Sequence, residues 1–325
     1  MVLADPTAPR WPSVRPGRGH YESFYLRAVH PTEPRGIWIR YTVTVPPGGS
    51  PAGQLWFTSF DRTGAPTAVR VDAGEPSTGG DAWIRLGEAT FGTDEVVGSA
   101  RSQAHTVSWR LRSISAEAPL THLPRDWMYG ARLPRTKLLS PRPAAVFHGE
   151  FEVDGETVAI EGWPGMVGHN WGEEHAETWI WLSGLAFDGR GPDTWLDVAL
   201  GRVRLGPVTT PWIANGAVSV DGRRYALGGP GRRVSVFAAD DRCSLRIRGA
   251  GVEVNASAAA PADAFVEWDY ANPDGGVHRV LNCSVADISV GVVRRGLDEV
   301  ALMADGRAAY EFGRRVPPLP PSRPD

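Results

Sequence analysis

Short runs of β-branched and aromatic residues recur along this chain every ten to twenty residues, and Gly, Pro and Asp separate them. In the first half they occupy 37–45, 54–59, 67–71, 82–86 and 106–114. Runs this short bury an apolar face only by pairing with neighbours, so the spacing predicts an antiparallel sandwich or barrel. Sustained helical periodicity is absent, and the best short helix is expected near 121–130. The second half keeps the same style, at 194–200, 217–220, 224–227, 234–237, 244–248, 252–257, 265–270 and 278–293. Asp154-Gly155, between runs 146–153 and 156–161, and Asp221-Gly222 read as two-residue hairpin turns, because both central positions of such turns need positive φ. Residues 131–143, rich in Pro and Arg, read as a connector.

An internal match extends this pattern. Glu22–Leu26 followed by Gly36–Val43 can be laid over Glu177–Trp181 followed by Asp193–Leu200, with Trp38 on Trp195. A repeat this long is not a solenoid period and indicates two related β-domains in tandem. With 325 residues the chain is long enough for two cores. The expected division is an extended N-terminal arm over 1–17, a β-domain over 18–164, a second over 165–315, and a Pro-rich extended tail over 316–325.

Composition removes several function classes. A net charge of −3 leaves no basic footprint for nucleic acid. No run of eighteen apolar residues exists, so no membrane span is expected, and the N-terminus lacks a signal-peptide core. Two cysteines, Cys243 and Cys283, supply neither a disulfide framework nor four zinc thiolates, which predicts a reduced, cytoplasmic protein. No Gly-rich phosphate loop precedes a helix, and no Gly-x-Ser-x-Gly elbow is present. The spacing of His169, Glu174 and His175 fits neither the helical His-Glu-x-x-His zinc motif nor a paired-cysteine site. No metal or cofactor is therefore expected.

Residues 165–184 concentrate two histidines, three glutamates, an asparagine and three tryptophans. Alternate residues of a strand share a face. His175, Glu177, Trp179, Trp181 and Ser183 then lie on one side, Ala176, Ile180 and Leu182 on the other. Trp195 and Asp197 likewise oppose Leu196, Val198 and Leu200, and Trp38 and Arg40 oppose Ile37, Ile39, Tyr41 and Val43. Each strand pair has one apolar face and one face mixing tryptophan with ionisable groups, which suits the lining of an apolar pocket. The plainer reading is a buried strand whose polar residues only satisfy loops.

Glu22-Ser23-Phe24-Tyr25 resembles the Glu-Trp-Trp-Tyr signature of the hydroxyneurosporene synthase (carotenoid 1,2-hydratase) and AttH-like proteins. His169-Asn170-Trp171-Gly172 resembles the His-Asn-Trp-Gly motif of their relatives, a wider group with tocopherol cyclases and lipocalin-like Diels–Alderases. The resemblance spans about residues 18–315. It implies two lipocalin-like β-domains that hydrate, cyclise or isomerise apolar polyene or isoprenoid substrates without cofactors, the ligand lying in a barrel or between the domains. Two departures stand out. Ser23-Phe24 replaces two tryptophans, and Gly168 stands where the relatives often place an aspartate, so hydratase activity is not carried over.

Two functions fit. One is a cofactor-independent cyclase, isomerase or hydratase acting on an isoprenoid- or polyketide-like molecule. His169 or His175 would be acid or base, with Glu174 and Glu22 orienting or protonating. Asn170, Trp171, Trp179, Trp181, Trp195, Asp197, Trp38 and Tyr25 would contact the substrate, and Trp faces would steady developing positive charge. The other is a non-catalytic lipocalin-like protein that binds a hydrophobic ligand. Whether the His and Glu side chains face a closed, ligand-sized cavity separates the two.

Overall fold

The structure, a computed structural model, describes residues 5, 7–15 and 17–316. Most of the Pro-rich tail, 317–325, and the start of the N-terminal arm lie outside the described residues. The fold is all-β. A twelve-stranded antiparallel sheet is built from residues 20–172 and a ten-stranded one from 178–315. The first curls as a half-barrel, and the second closes almost fully through a bridge between Leu227 and Gly249.

Both sheets open and close in the same way. In the first, His20–Val29 pairs with Arg35–Val45 on one side and with the closing strand Glu156–Gly172 on the other. In the second, Thr178–Gly184 pairs with Trp195–Arg202 and with the closing strand Val300–Arg315. The internal sequence match is this shared opening hairpin. The turns at Asp154-Gly155 and Asp221-Gly222 have positive φ at both central residues (53° and 90°, 50° and 77°), as hairpins of this twist require.

Three expectations need correction. The helix at 121–130 is a 3₁₀ turn, Asp126–Tyr129, preceded by the short strand Leu120–Thr121. The connector at 131–143 is largely the first part of an eighteen-residue strand, Thr136–Val153. Pro141 and Pro143 fall within its register shifts between Leu139 and Arg142 and between Arg142 and Ala145. Proline costs no ladder hydrogen bond at such bulges. Finally, Glu156–Gly172 runs straight through residues 164 and 165, so the change of sheet comes at 173–177.

The apolar strand faces fill the two barrels separately. Ile39, Tyr41, Phe57 and Phe91 are buried in the first, and Leu196, Val198, Val254 and Val292 in the second. Each such side chain contributes about 1.5–3 kcal/mol by leaving water. The mixed faces point away from these cores and towards the other barrel. Arg27, fully buried, bolts the barrels together, donating to the carbonyl oxygens of Ser183 (3.2 Å), Ser284 (3.1 Å) and Arg307 (2.8 Å). Arg62 adds a two-pronged pair with Asp287 (2.6 and 3.0 Å).

Candidate functional site

A cavity of about 550 Å³ lies between the barrels. Its aromatic wall comes from both: Tyr21, Tyr25 and Trp38 from the first opening hairpin, Trp179 and Trp181 from the second, and Tyr270. These are the tryptophan-bearing mixed faces, brought together because each barrel buries its own apolar face inward. Exposed Trp127, Leu133, Leu205 and Ile213 rim the same cavity.

The polar groups in the wall are few and mostly held. His175 stacks on Tyr21 (ring centroids 3.9 Å apart) and lies 5.6 Å from the Trp179 ring. Its backbone N–H donates to Asn272 Oδ1 (3.0 Å), so that atom is an acceptor, and the Nδ1–H must donate to it as well (2.7 Å). This fixes the neutral tautomer with the lone pair on Nε2, which is buried without a hydrogen-bond partner. Burial, with the nearby His278 and Arg40, outweighs the Asn272 bond and pulls His175 down to about 3. The imidazole is thus a neutral acceptor at pH 7 and a poor acid. Glu174 lines the cavity but is clamped by Arg135 (2.7 Å) and Arg315 (3.0 Å). Asn170 accepts a hydrogen bond from the Ser23 hydroxyl.

Two buried carboxylates stand behind the aromatic wall. Glu311 receives Trp179 Nε1 (2.8 Å), Asn282 Nδ2 (3.0 Å) and the Tyr270 hydroxyl (3.2 Å). Asp197 receives Trp181 Nε1 (2.9 Å) and the Ser140 hydroxyl (2.5 Å), with His122 Nε2 3.4 Å away. Burial pushes the Asp197 carboxyl up, but His122, Ser140 and Trp181 together hold it below the usual carboxylate range. Each carboxylate therefore fixes the orientation of one indole in the wall.

The remaining candidates lie elsewhere. His20, Glu22, Phe24, His169 and Trp171 face away from the cavity, on the opposite side of the same strands as Tyr21, Tyr25 and Asn170. Glu22, fully buried, accepts from His169 Nε2 (2.8 Å) and from the backbone N–H groups of Arg10 (2.9 Å) and Trp11 (2.7 Å). His20 Nε2 lies 3.2 Å from the same carboxylate. Burial raises the Glu22 carboxyl, yet the bonds to His169 and His20 outweigh it and hold it at about 2. His169 stacks on Phe24 (4.1 Å), inside the first barrel. His169 and His175 do not come together: the strand Glu156–Gly172 turns His169 away from the cavity, and the chain leaves the sheet at 173–177, where His175 enters the wall. Trp171 packs with Tyr129 and Leu139, and Trp195, fully buried, sits under the Arg224 guanidinium (5.0 Å). Glu22, His169, Trp171 and Trp195 thus do not line the cavity.

The chain matches no protein-family model. It is 26% identical over 317 residues to two uncharacterised proteins of Mycobacterium tuberculosis, from strains CDC 1551 and H37Rv, covering 94% of this chain and 92% of each of them. Among solved structures it is similar to CghA in complex with Sch210972, with a TM-score of 0.62 at 12% identity over 97% of this chain and 93% of the other. It is also similar to an AttH candidate from Nitrosomonas europaea, with a TM-score of 0.55 at 14% identity over 97% of both chains. The chain has the AttH-like, lipocalin-like fold.

Within that AttH-like fold, the departure at Gly168 has a steric cause. Gly168 lies opposite Tyr25 in the strand register, and a Cβ added to it would fall within the Tyr25 ring. The tyrosine occupies the space into which a side chain at 168 would project, and its phenol lines the cavity there. Arg40, Tyr270, Glu311, Asn272 and His122 also build the site, although the motifs did not point to them. Arg40 carried a local signal, its place beside Trp38 on a mixed face. Tyr270, Asn272 and Glu311 sit far along the chain, and His122 lies in the stretch that reads as a short helix; only barrel docking brings them together.

Proposed function

We propose that the cavity binds an apolar, unsaturated small molecule and that the chain acts on it as a cofactor-independent cyclase or isomerase. The observation that carries this reading is the cavity itself: ligand-sized, walled by indole and phenol rings from both barrels, with a buried, unpartnered acceptor, His175 Nε2, in the wall. Such a volume suits one small ligand. Its walls would restrict a flexible polyene to folded conformers, bringing reacting carbons within attack distance at little further entropic cost. The rings would steady positive charge as it develops. His175 Nε2 would take a hydrogen bond from the bound molecule. Burial keeps that imidazole neutral, which disfavours protonation-initiated hydration at this position. Complex formation between CghA and Sch210972 supports the reading that this fold accommodates a small molecule.

A neutral polyene such as retinol tests the binding half. It is expected to quench the intrinsic fluorescence at micromolar concentration, and Trp179→Ala should weaken binding about tenfold, since an indole packed on a ligand contributes about 1–3 kcal/mol. With a turned-over polyene in hand, His175→Ala should lower turnover by about 10²-fold or more while affinity changes only a few-fold. Unchanged turnover in His175→Ala would leave a binding protein.

A further inference from the structure

The main cavity shares four residues with a smaller, more polar neighbour of about 210 Å³: Tyr21, Arg40, His175 and Tyr270. Arg40 is the only cation among them. It is 5% exposed, and its guanidinium lies 4.1 Å from the Tyr270 ring centroid and 5.5 Å from that of Trp56. Among the described residues Arg40 forms no ion pair, whereas Arg135, also in the lining, pairs with Glu174. Arg40 Nε is buried without a partner. Glu311, a carboxylate of the same wall, already takes up Trp179, Asn282 and Tyr270. Buried among the rings of Trp38, Trp56 and Tyr270 and without an ion pair among the described residues, this guanidinium lacks the full hydration and the counter-charge it would have in water. An oxygen anion arriving beside it would restore both, and the planar fork matches a carboxylate through two parallel hydrogen bonds.

We propose that Arg40 is the head-group site for an apolar ligand ending in a carboxylate, the head lying at the junction of the two cavities and the tail along the aromatic wall. This rests on the apolar-cavity reading and adds the ligand's class: an unsaturated acid in place of a neutral polyene.

Fluorescence titration of the full chain with cis-parinaric acid, its methyl ester and retinol tests it. The acid should bind at least tenfold more tightly than the ester at pH 7.5. Arg40→Met should abolish that preference, and Arg40→Lys should keep part of it. Equal affinity of acid and ester in the unsubstituted protein overturns the head-group site and leaves the apolar cavity standing. Failure of all three to bind overturns the cavity reading and this one with it. Because the acid–ester comparison needs no variant, misfolding of Arg40→Met does not blunt it.

Discussion

Single side chains set the pH response of this protein. Glu22 is held at about 2 in the folded state against an ordinary 4.5, so its ionised form stabilises the fold. That contribution, roughly 3 kcal/mol, is complete above pH 4.5 and disappears as pH falls towards 2. His175 works at higher pH: it is pulled down to about 3 from 6.5, so below pH 6.5 the unfolded chain takes up a proton that the folded chain refuses. Stability should therefore fall between pH 6.5 and 4.5, before Glu22 begins to titrate. Urea midpoints measured across that range should fall less steeply for His175→Gln than for the unsubstituted protein; parallel curves would mean that His175 is not buried neutral. Gly168 offers a second test at this scale. Gly168→Ala should cost about 1–3 kcal/mol by overpacking against Tyr25, and Tyr25→Ala should recover most of it. Additive losses in the double variant would show that the two positions do not share space.

At the scale of elements, the hairpin turns and the N-terminal clamp matter most. Gly155 has φ 90° and nothing near the position a Cβ would take, so the cost of a side chain there comes from the backbone alone. Gly155→Val should lower stability by about 1–2 kcal/mol, read as a drop of a few degrees in Tm with the fold intact. The arm is held differently. Arg10 and Trp11 donate their backbone N–H groups to Glu22, and Trp11 packs on the first barrel's core. Truncation before residue 14 should expose the Glu22–His169–His20 cluster and speed amide exchange in His20–Val29. Unaltered exchange there would remove any bracing role for the arm.

The whole molecule depends on the docking of two barrels, since the cavity has half its wall on each. Arg27 is central to that contact: its guanidinium meets three carbonyls of the second barrel, and burial lowers it to about 9. Arg27→Met would strand those acceptors in the interface, at about 3–5 kcal/mol. Calorimetry of this variant should show the single transition broaden or split as the barrels unfold separately, with weakened retinol binding. A sharp transition and unaltered binding would place the coupling elsewhere.

Much of this was legible in the sequence, because a strand's pattern is local. Alternation in Ile37–Val43 and Leu196–Leu200 marks which face is buried whatever lies beyond, and Asp-Gly between two β runs admits few turns other than the one seen. The shared opening hairpin was visible through Trp38 and Trp195. Alternation also placed Trp179 and Trp181 on one face, but it could not say what that face meets; it meets the other barrel rather than a barrel interior. His169 and His175, six residues apart, separated because the chain leaves the first sheet at 173–177, between them, while Glu22 reached His169 across 147 positions. Tyr270 and Glu311 came to the wall beside Arg40 by the same non-local route. Secondary structure follows from the pattern of neighbours in sequence, whereas a cavity between two barrels follows from contacts that only docking creates.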